Sequence, residues 1–68
     1  MGNTRPVGEG VQELKIDYGP GYRVYFGRDG PEFVILLNGG DKRTQDENIE
    51  TAKEYWQTYK KEHRSAEY

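Results

Sequence analysis

Sixty-eight residues make one small domain at most, and 10 Lys and Arg against 12 Asp and Glu give a net charge of −2. No cysteine and a single histidine leave no means of building a disulfide framework or a Cys- or His-rich metal site. No run approaches the ~18 apolar residues of a membrane span, and the N-terminus lacks the apolar core of a signal peptide, so a cytoplasmic protein without a membrane partner is expected.

Residues 1–10 (MGNTRPVGEG) carry three glycines, one proline and little apolar content, the composition of a flexible lead-in. Residues 11–18 alternate, with Leu14, Ile16 and Tyr18 on one side and Glu13, Lys15 and Asp17 on the other, as in a half-buried strand. Gly19-Pro20-Gly21 is a turn signal. Residues 22–28 alternate again, and Asp29-Gly30 suits a two-residue hairpin turn. Residues 32–38 form a third strand, continuously apolar from Phe33 to Leu37, so both its faces should be covered.

Placing Tyr18 across from Tyr22 sets Ile16 opposite Val24 and Leu14 opposite Phe26. A two-residue second turn then puts Phe33, Ile35 and Leu37 on that same side. Lys15, Asp17, Arg23, Tyr25, Val34 and Leu36 share the other face, and a slip by one residue would invert a whole strand.

Asn38-Gly39-Gly40 ends the strand, and Thr44-x-x-Glu47 fits a capping box. A helix over about 44–62 follows, with Ile49, Ala52, Tyr55 or Trp56, and Tyr59 at helical spacing. Acidic residues lead it and Lys60, Lys61, His63 and Arg64 close it, the order that complements the helix dipole. The expected architecture is α+β: a three-stranded antiparallel meander and one C-terminal helix in a single domain over 11–63, with a frayed tail at 64–68. So small a chain stabilises itself weakly. A homodimer through an uncovered sheet face, or another partner, is therefore expected.

The candidate chemistry lies on the polar sheet face. Lys15, Arg23 and Tyr25 gather there, and the loop after the third strand adds Lys42 and Arg43. Converging cations hold a phosphate and stabilise developing negative charge, and Tyr22 and Tyr25 offer rings for stacking on bases. The alternative is a solvated face with cross-strand pairs such as Asp17–Arg23, each worth under about 1 kcal/mol. Gly39-Gly40-Asp41-Lys42-Arg43-Thr44 lacks phosphate-loop spacing and reads as a strand-to-helix connection. Trp56 reads as core or interface.

Glu13-Leu14-Lys15-Ile16-Asp17-Tyr18-Gly19-Pro20-Gly21-Tyr22-Arg23-Val24-Tyr25-Phe26 resembles the central hairpin of the RelE/ParE toxin superfamily, nearest its HigB-like "addiction module killer protein" branch. Ile35 through Gln45 is similar to that branch's signature after the last strand, and Asn48-Ile49 through Ala52-x-x-Tyr55-Trp56 to its final helix. The resemblance covers about residues 5–60.

It implies the toxin of a type II toxin–antitoxin pair, a metal-independent and cofactor-free endoribonuclease that cuts mRNA on the ribosome, or a weakened remnant of one. By position it implies that Arg23 stabilises the phosphate, Lys15 acts as base or phosphate ligand and Lys42 adds charge. Tyr22, Tyr25 and Arg43 would contact RNA. Its partners would be a cognate antitoxin and mRNA on the ribosome. Family members begin with a strand and two helices that cover the apolar sheet face, and this sequence starts near the linker that follows them. The implied fold is thus a truncated RelE/ParE-like one. The competing expectation is a non-catalytic interaction module: an antitoxin-binding remnant, a ParE-like gyrase inhibitor or a homodimeric remnant.

Overall fold

The computed structural model describes residues 3–19, 21–31 and 33–66. Pro20 of the Gly-Pro-Gly turn, Glu32 and residues 67–68 of the tail lie outside the described residues. So do the side chains of Phe33 and of residues 63–66, and with them the expected facing of Phe33 and the roles of His63 and Arg64.

The fold is α+β, with four strands rather than three. β1 (Thr4–Gly8), β2 (Val11–Ile16), β3 (Tyr22–Asp29) and β4 (Phe33–Gly40) form one antiparallel sheet in chain order. A 3-10 turn, Lys42–Thr44, leads into helix α1, Gln45–Ala66. The helix thus continues past residue 63, through part of the expected tail.

β1 occupies the segment read as a lead-in. Pro6 speaks against a strand, yet it is tolerated here because β1 is an edge strand. Gly8 pairs with Val11, and Glu9 and Gly10, both at positive φ, make the two-residue turn between them. A bulge between Pro6 and Gly8 leaves Val7 to pack on the core.

Two registers differ from expectation. Ile16, not Tyr18, lies opposite Tyr22, a shift of two that keeps every side chain on its face. Asp29 pairs with Phe33, so three residues separate β3 from β4, keeping Pro31 out of the ladder. This odd-numbered shift inverts β4. Ile35 now lies opposite Gly27, and Leu36 opposite Phe26. A bulge then inserts Leu37 before Asn38 pairs with Tyr25, and Ile35 and Leu37 both pack on the core.

Helix α1 covers the face that carries Glu13, Arg23 and Tyr25. The buried core is Val11, Tyr25, Ala52 and Trp56, with Val7, Ile35, Leu37, Ile49 and Tyr59 packed around it. Of the helical candidates, Trp56 turns inward and Tyr55 outward. Trp56 lies against bare backbone: a Cβ on Gly27 would meet its ring at 2.5 Å, and one on Gly10 would meet its Nε1 at 2.7 Å. Tyr59 stacks on Trp56 with centroids 5.3 Å apart, and Lys60 Nζ lies 5.7 Å from the indole.

The expected apolar face is left open. Leu14, Val24 and Phe26 are half-buried, and Ile16, Tyr22, Val34 and Leu36 are exposed. None of the described helices is long and apolar enough to cross a membrane.

The helix start also differs. Thr44 lies inside the 3-10 turn that leads into the helix, and Asp41 caps that turn, accepting from the Arg43 backbone N–H at 3.0 Å. Thr44 Oγ1 instead accepts from Asn48 Nδ2 at 2.8 Å.

Two outcomes check this packing. Gly27→Ala drives a methyl into Trp56, so its urea midpoint should fall by the equivalent of about 1–3 kcal/mol. Leu36→Lys touches only the open face, where Leu36 is 72% exposed, and should leave stability within about 0.5 kcal/mol.

Candidate anion-binding site

Antiparallel pairing lines up two neighbouring rows on the helix side of the sheet. One row runs Arg5, Glu13, Tyr25, Asn38, and the next places Lys15 beside Arg23 and Arg23 beside Gly40. Lys15 N–H donates to the Asn3 carbonyl at 3.0 Å, which brings the start of the chain to this second row. The helix closes the β4 end of both rows. Asn38 Nδ2 donates to the Asn48 carbonyl at 3.2 Å, and a Cβ on Gly40 would collide with the Asn48 side chain. The β1 side stays open, as a pocket of about 360 Å³. Arg5, Glu13, Lys15, Arg23 and Gln45 line it, with Asn3 and Thr4 at its edge.

Glu13 organises this pocket. It is 3% exposed and receives three hydrogen bonds: Arg5 Nε at 2.8 Å, Tyr25 Oη at 2.9 Å and Gln45 Nε2 at 2.8 Å. Arg23 Nε lies 3.7 Å from its second oxygen. Burial pushes the Glu13 carboxyl up, but the hydrogen bonds from Arg5, Gln45 and Tyr25 and the charge of Arg5 outweigh it and hold the group below its ordinary value. It is therefore a fixed anion. Tyr25 moves the other way: burial, then the bond to Glu13, raises its hydroxyl far above 10.0.

Arg23 is the least accessible of the three cations. Its side chain is 10% exposed. Nη1 donates to the Gly21 carbonyl at 3.0 Å, and Nε is buried without a hydrogen-bond partner. Lys15 is half exposed and lies 3.7 Å from Asp17. The lining carries Arg5, Lys15 and Arg23 against Glu13, +3 − 1 = +2, so the pocket attracts anions. Among the described residues no three of His, Cys, Asp and Glu gather as metal ligands.

The candidates from sequence separate into four groups. Lys15 and Arg23 come together in the pocket. Lys42 and Arg43 are exposed on the 3-10 turn, just beyond the Gly40 that pairs with Arg23, but neither lines the pocket. Arg43 holds Asp41 at 3.3 Å. Burial would raise the Asp41 carboxyl, but the Arg43 backbone N–H and charge outweigh it and lower it. Tyr22 points to the open face with Ile16, away from Lys15 and Arg23. Tyr25 is fully buried, so it presents no ring face to a base. Its part is to hold Glu13.

Arg5, Glu13 and Gln45 were not among the candidates. Arg5 sits in the supposed lead-in, and Gln45 is 32 residues from the carboxylate it donates to. Glu13 did carry a signal: it alternates onto the face shared by Lys15, Arg23 and Tyr25.

The depressed Glu13 carboxyl fixes an acid response. Its stabilisation is complete above the unfolded value near 4.5 and is lost as pH falls through the lower folded value. Thermal stability should therefore drop below about pH 4.5, and Glu13→Gln should flatten that part of the curve. An equally steep acid limb in the variant would assign the loss to other carboxylates.

No family model matches the chain, and no solved structure matches it. The chain is similar to an uncharacterized protein of Haemophilus influenzae, 52% identical over 53 residues. That stretch is 78% of this chain and 54% of the relative, so the chain spans about half the length of the curated protein it matches.

Proposed function

We propose that this chain is the toxin component of a type II toxin–antitoxin pair, or a weakened remnant of one, acting in the cytoplasm on mRNA held by the ribosome. The resemblance of its hairpin and helix to the HigB-like branch of the RelE/ParE superfamily motivates the reading. The observation that supports it is the convergence of Lys15 and Arg23 in a cationic pocket.

The chemistry asked of such a pocket is limited. A ribose 2′-hydroxyl gives its proton to a base and attacks the adjacent phosphorus; a P–O2′ bond forms, the P–O5′ bond breaks, and the 5′-oxygen takes up a proton from solvent and leaves as a hydroxyl. Arg23, locked in place, stabilises the charge that builds on the phosphoryl oxygens. Lys15, half exposed in the lining, takes the 2′-hydroxyl proton as a neutral amine or, as the ammonium, holds the phosphate. Lys42 adds positive potential from the neighbouring turn. Arg43 and Tyr22 lie farther from the pocket and serve as RNA contacts outside the reacting centre.

The alternative is a non-catalytic interaction module, and it has an observation of its own. The open face of Leu14, Ile16, Val24, Phe26, Val34 and Leu36 is an exposed apolar patch, the kind that marks an interface. On that reading the face receives a cognate antitoxin or a second copy, and any gyrase inhibition needs none of the pocket cations.

A ribosome-dependent mRNA cleavage assay decides between them. Cleavage should fall about 10²-fold or more in Lys15→Ala, the order expected when a transition-state contact is lost, with the melting temperature unchanged. Absence of cleavage by the wild type would remove the nuclease reading, and equal cleavage by wild type and variant would remove Lys15 from it. Gyrase inhibition that survives the substitution would favour the module.

A further inference from the structure

Arg5 is a member of the pocket that neither the sequence nor its resemblance assigns a role. It stands on the edge strand β1, paired with Glu13 across the sheet. Its Nε donates to one Glu13 oxygen at 2.8 Å, while Arg23 Nε lies 3.7 Å from the other. One buried carboxylate therefore hydrogen-bonds one guanidinium and lies within ion-pair range of a second.

We propose that Arg5 is the second anion-binding guanidinium of this pocket, paired with Arg23 through Glu13, and that the bound group is a phosphate. The inference rests on the reading of the pocket as a phosphate site, and it adds a residue and the device that orients it.

Three features carry the argument. First, Glu13 is already satisfied, with three hydrogen bonds on its two oxygens. It needs only one edge of Arg5. A guanidinium pinned at Nε has lost most of its rotamer freedom and keeps a planar pair of terminal donors, the geometry that suits an oxyanion. Second, the Arg5 side chain is 58% exposed while Glu13 is 4% exposed. The cation is accessible and its anchor is not. Third, the lining carries Arg5, Lys15 and Arg23 against Glu13, a net charge of +2 that attracts a phosphate.

A purely structural ion pair predicts something different. If Arg5 only fastened β1 to the sheet, replacing it would lower stability and leave the folded protein's affinity for anions unchanged. Arg5→Gln separates the two roles, because glutamine keeps a donor for Glu13 and loses the charge and the fork. Arg28→Gln is the control, since Arg28 pairs with Val34 on the opposite face and lies outside the pocket.

Amide-resonance titrations with inorganic phosphate, and separately with a short single-stranded oligoribonucleotide, give the affinity of folded protein only. In Arg5→Gln the affinity for both probes should fall about tenfold, as for the loss of one charged hydrogen-bonding contact. Arg5→Lys should recover part of it, and Arg28→Gln should bind both probes as the wild type does. For the oligonucleotide, the slope of log affinity against log salt should shrink by about 0.7, the value for one phosphate contact on a single strand. Phosphate binding without oligonucleotide binding would identify free phosphate as the ligand and keep the role of Arg5.

Equal affinities in wild type and Arg5→Gln would overturn the inference, as would a wild type that binds neither probe at millimolar concentration. The nuclease reading fails separately. A chain that binds phosphate through Arg5 but cleaves no mRNA keeps this inference and loses that one, and cleavage that needs Lys15 but not Arg5 does the reverse.

Discussion

The Glu13 carboxylate sits where four structural elements meet. It belongs to β2, pairs with Arg5 of β1, accepts from Tyr25 of β3 and accepts from Gln45 at the start of α1. A buried carboxylate without partners would be prohibitively costly, and with only some of them it would still destabilise the fold. With all three donors in place and Arg23 nearby, it ties the edge strand and the helix to the centre of the sheet. The same arrangement favours its ionised form, so the pocket holds an anion beside Arg5 and Arg23.

The sheet has two faces of opposite character, and the helix covers the less apolar one. That side offers Val11, Tyr25, Ile35 and Leu37 for burial, and it offers the bare backbone of Gly27 and Gly10, into which Trp56 fits. It also offers Glu13 for Gln45. Burying an indole against backbone gains much area in a chain with few large apolar side chains. The helix therefore follows its tryptophan. The informative features of the surface are the consequence: a polar network under the helix and an apolar patch facing out.

Site and scaffold are linked through this choice. Docked over β4, the helix start leaves the β1 end of two side-chain rows uncovered, and there Arg5, Lys15 and Arg23 meet. β1 is short and on the edge, yet it supplies one wall of the pocket. The pocket needs no flexible element to assemble, because cross-strand pairing already sets Arg5 beside Glu13 and Lys15 beside Arg23.

Much of this could be read from the sequence by itself, and the reason is local. Period-two alternation specified β2 and β3 and their facing, because alternation survives a register shift of two. Helical spacing specified α1 and selected Ile49, Ala52 and Tyr59, leaving Tyr55 and Trp56 as alternatives of which the fold buries Trp56. The Lys15–Arg23 cluster followed from the same alternation. What remained depended on interactions between distant residues. The three-residue connection that keeps Pro31 out of the ladder, and the bulge at Leu37, decided which face β4 presents. The edge position of β1 decided that Pro6 does not forbid a strand. The fit of Trp56 onto Gly10 and Gly27 decided which side of the sheet is covered, and so which of the candidate residues are buried, like Tyr25, exposed on the far face, like Tyr22, or gathered at the pocket. Register, bulges and docking are set by contacts many residues apart, and local pattern carries no record of them.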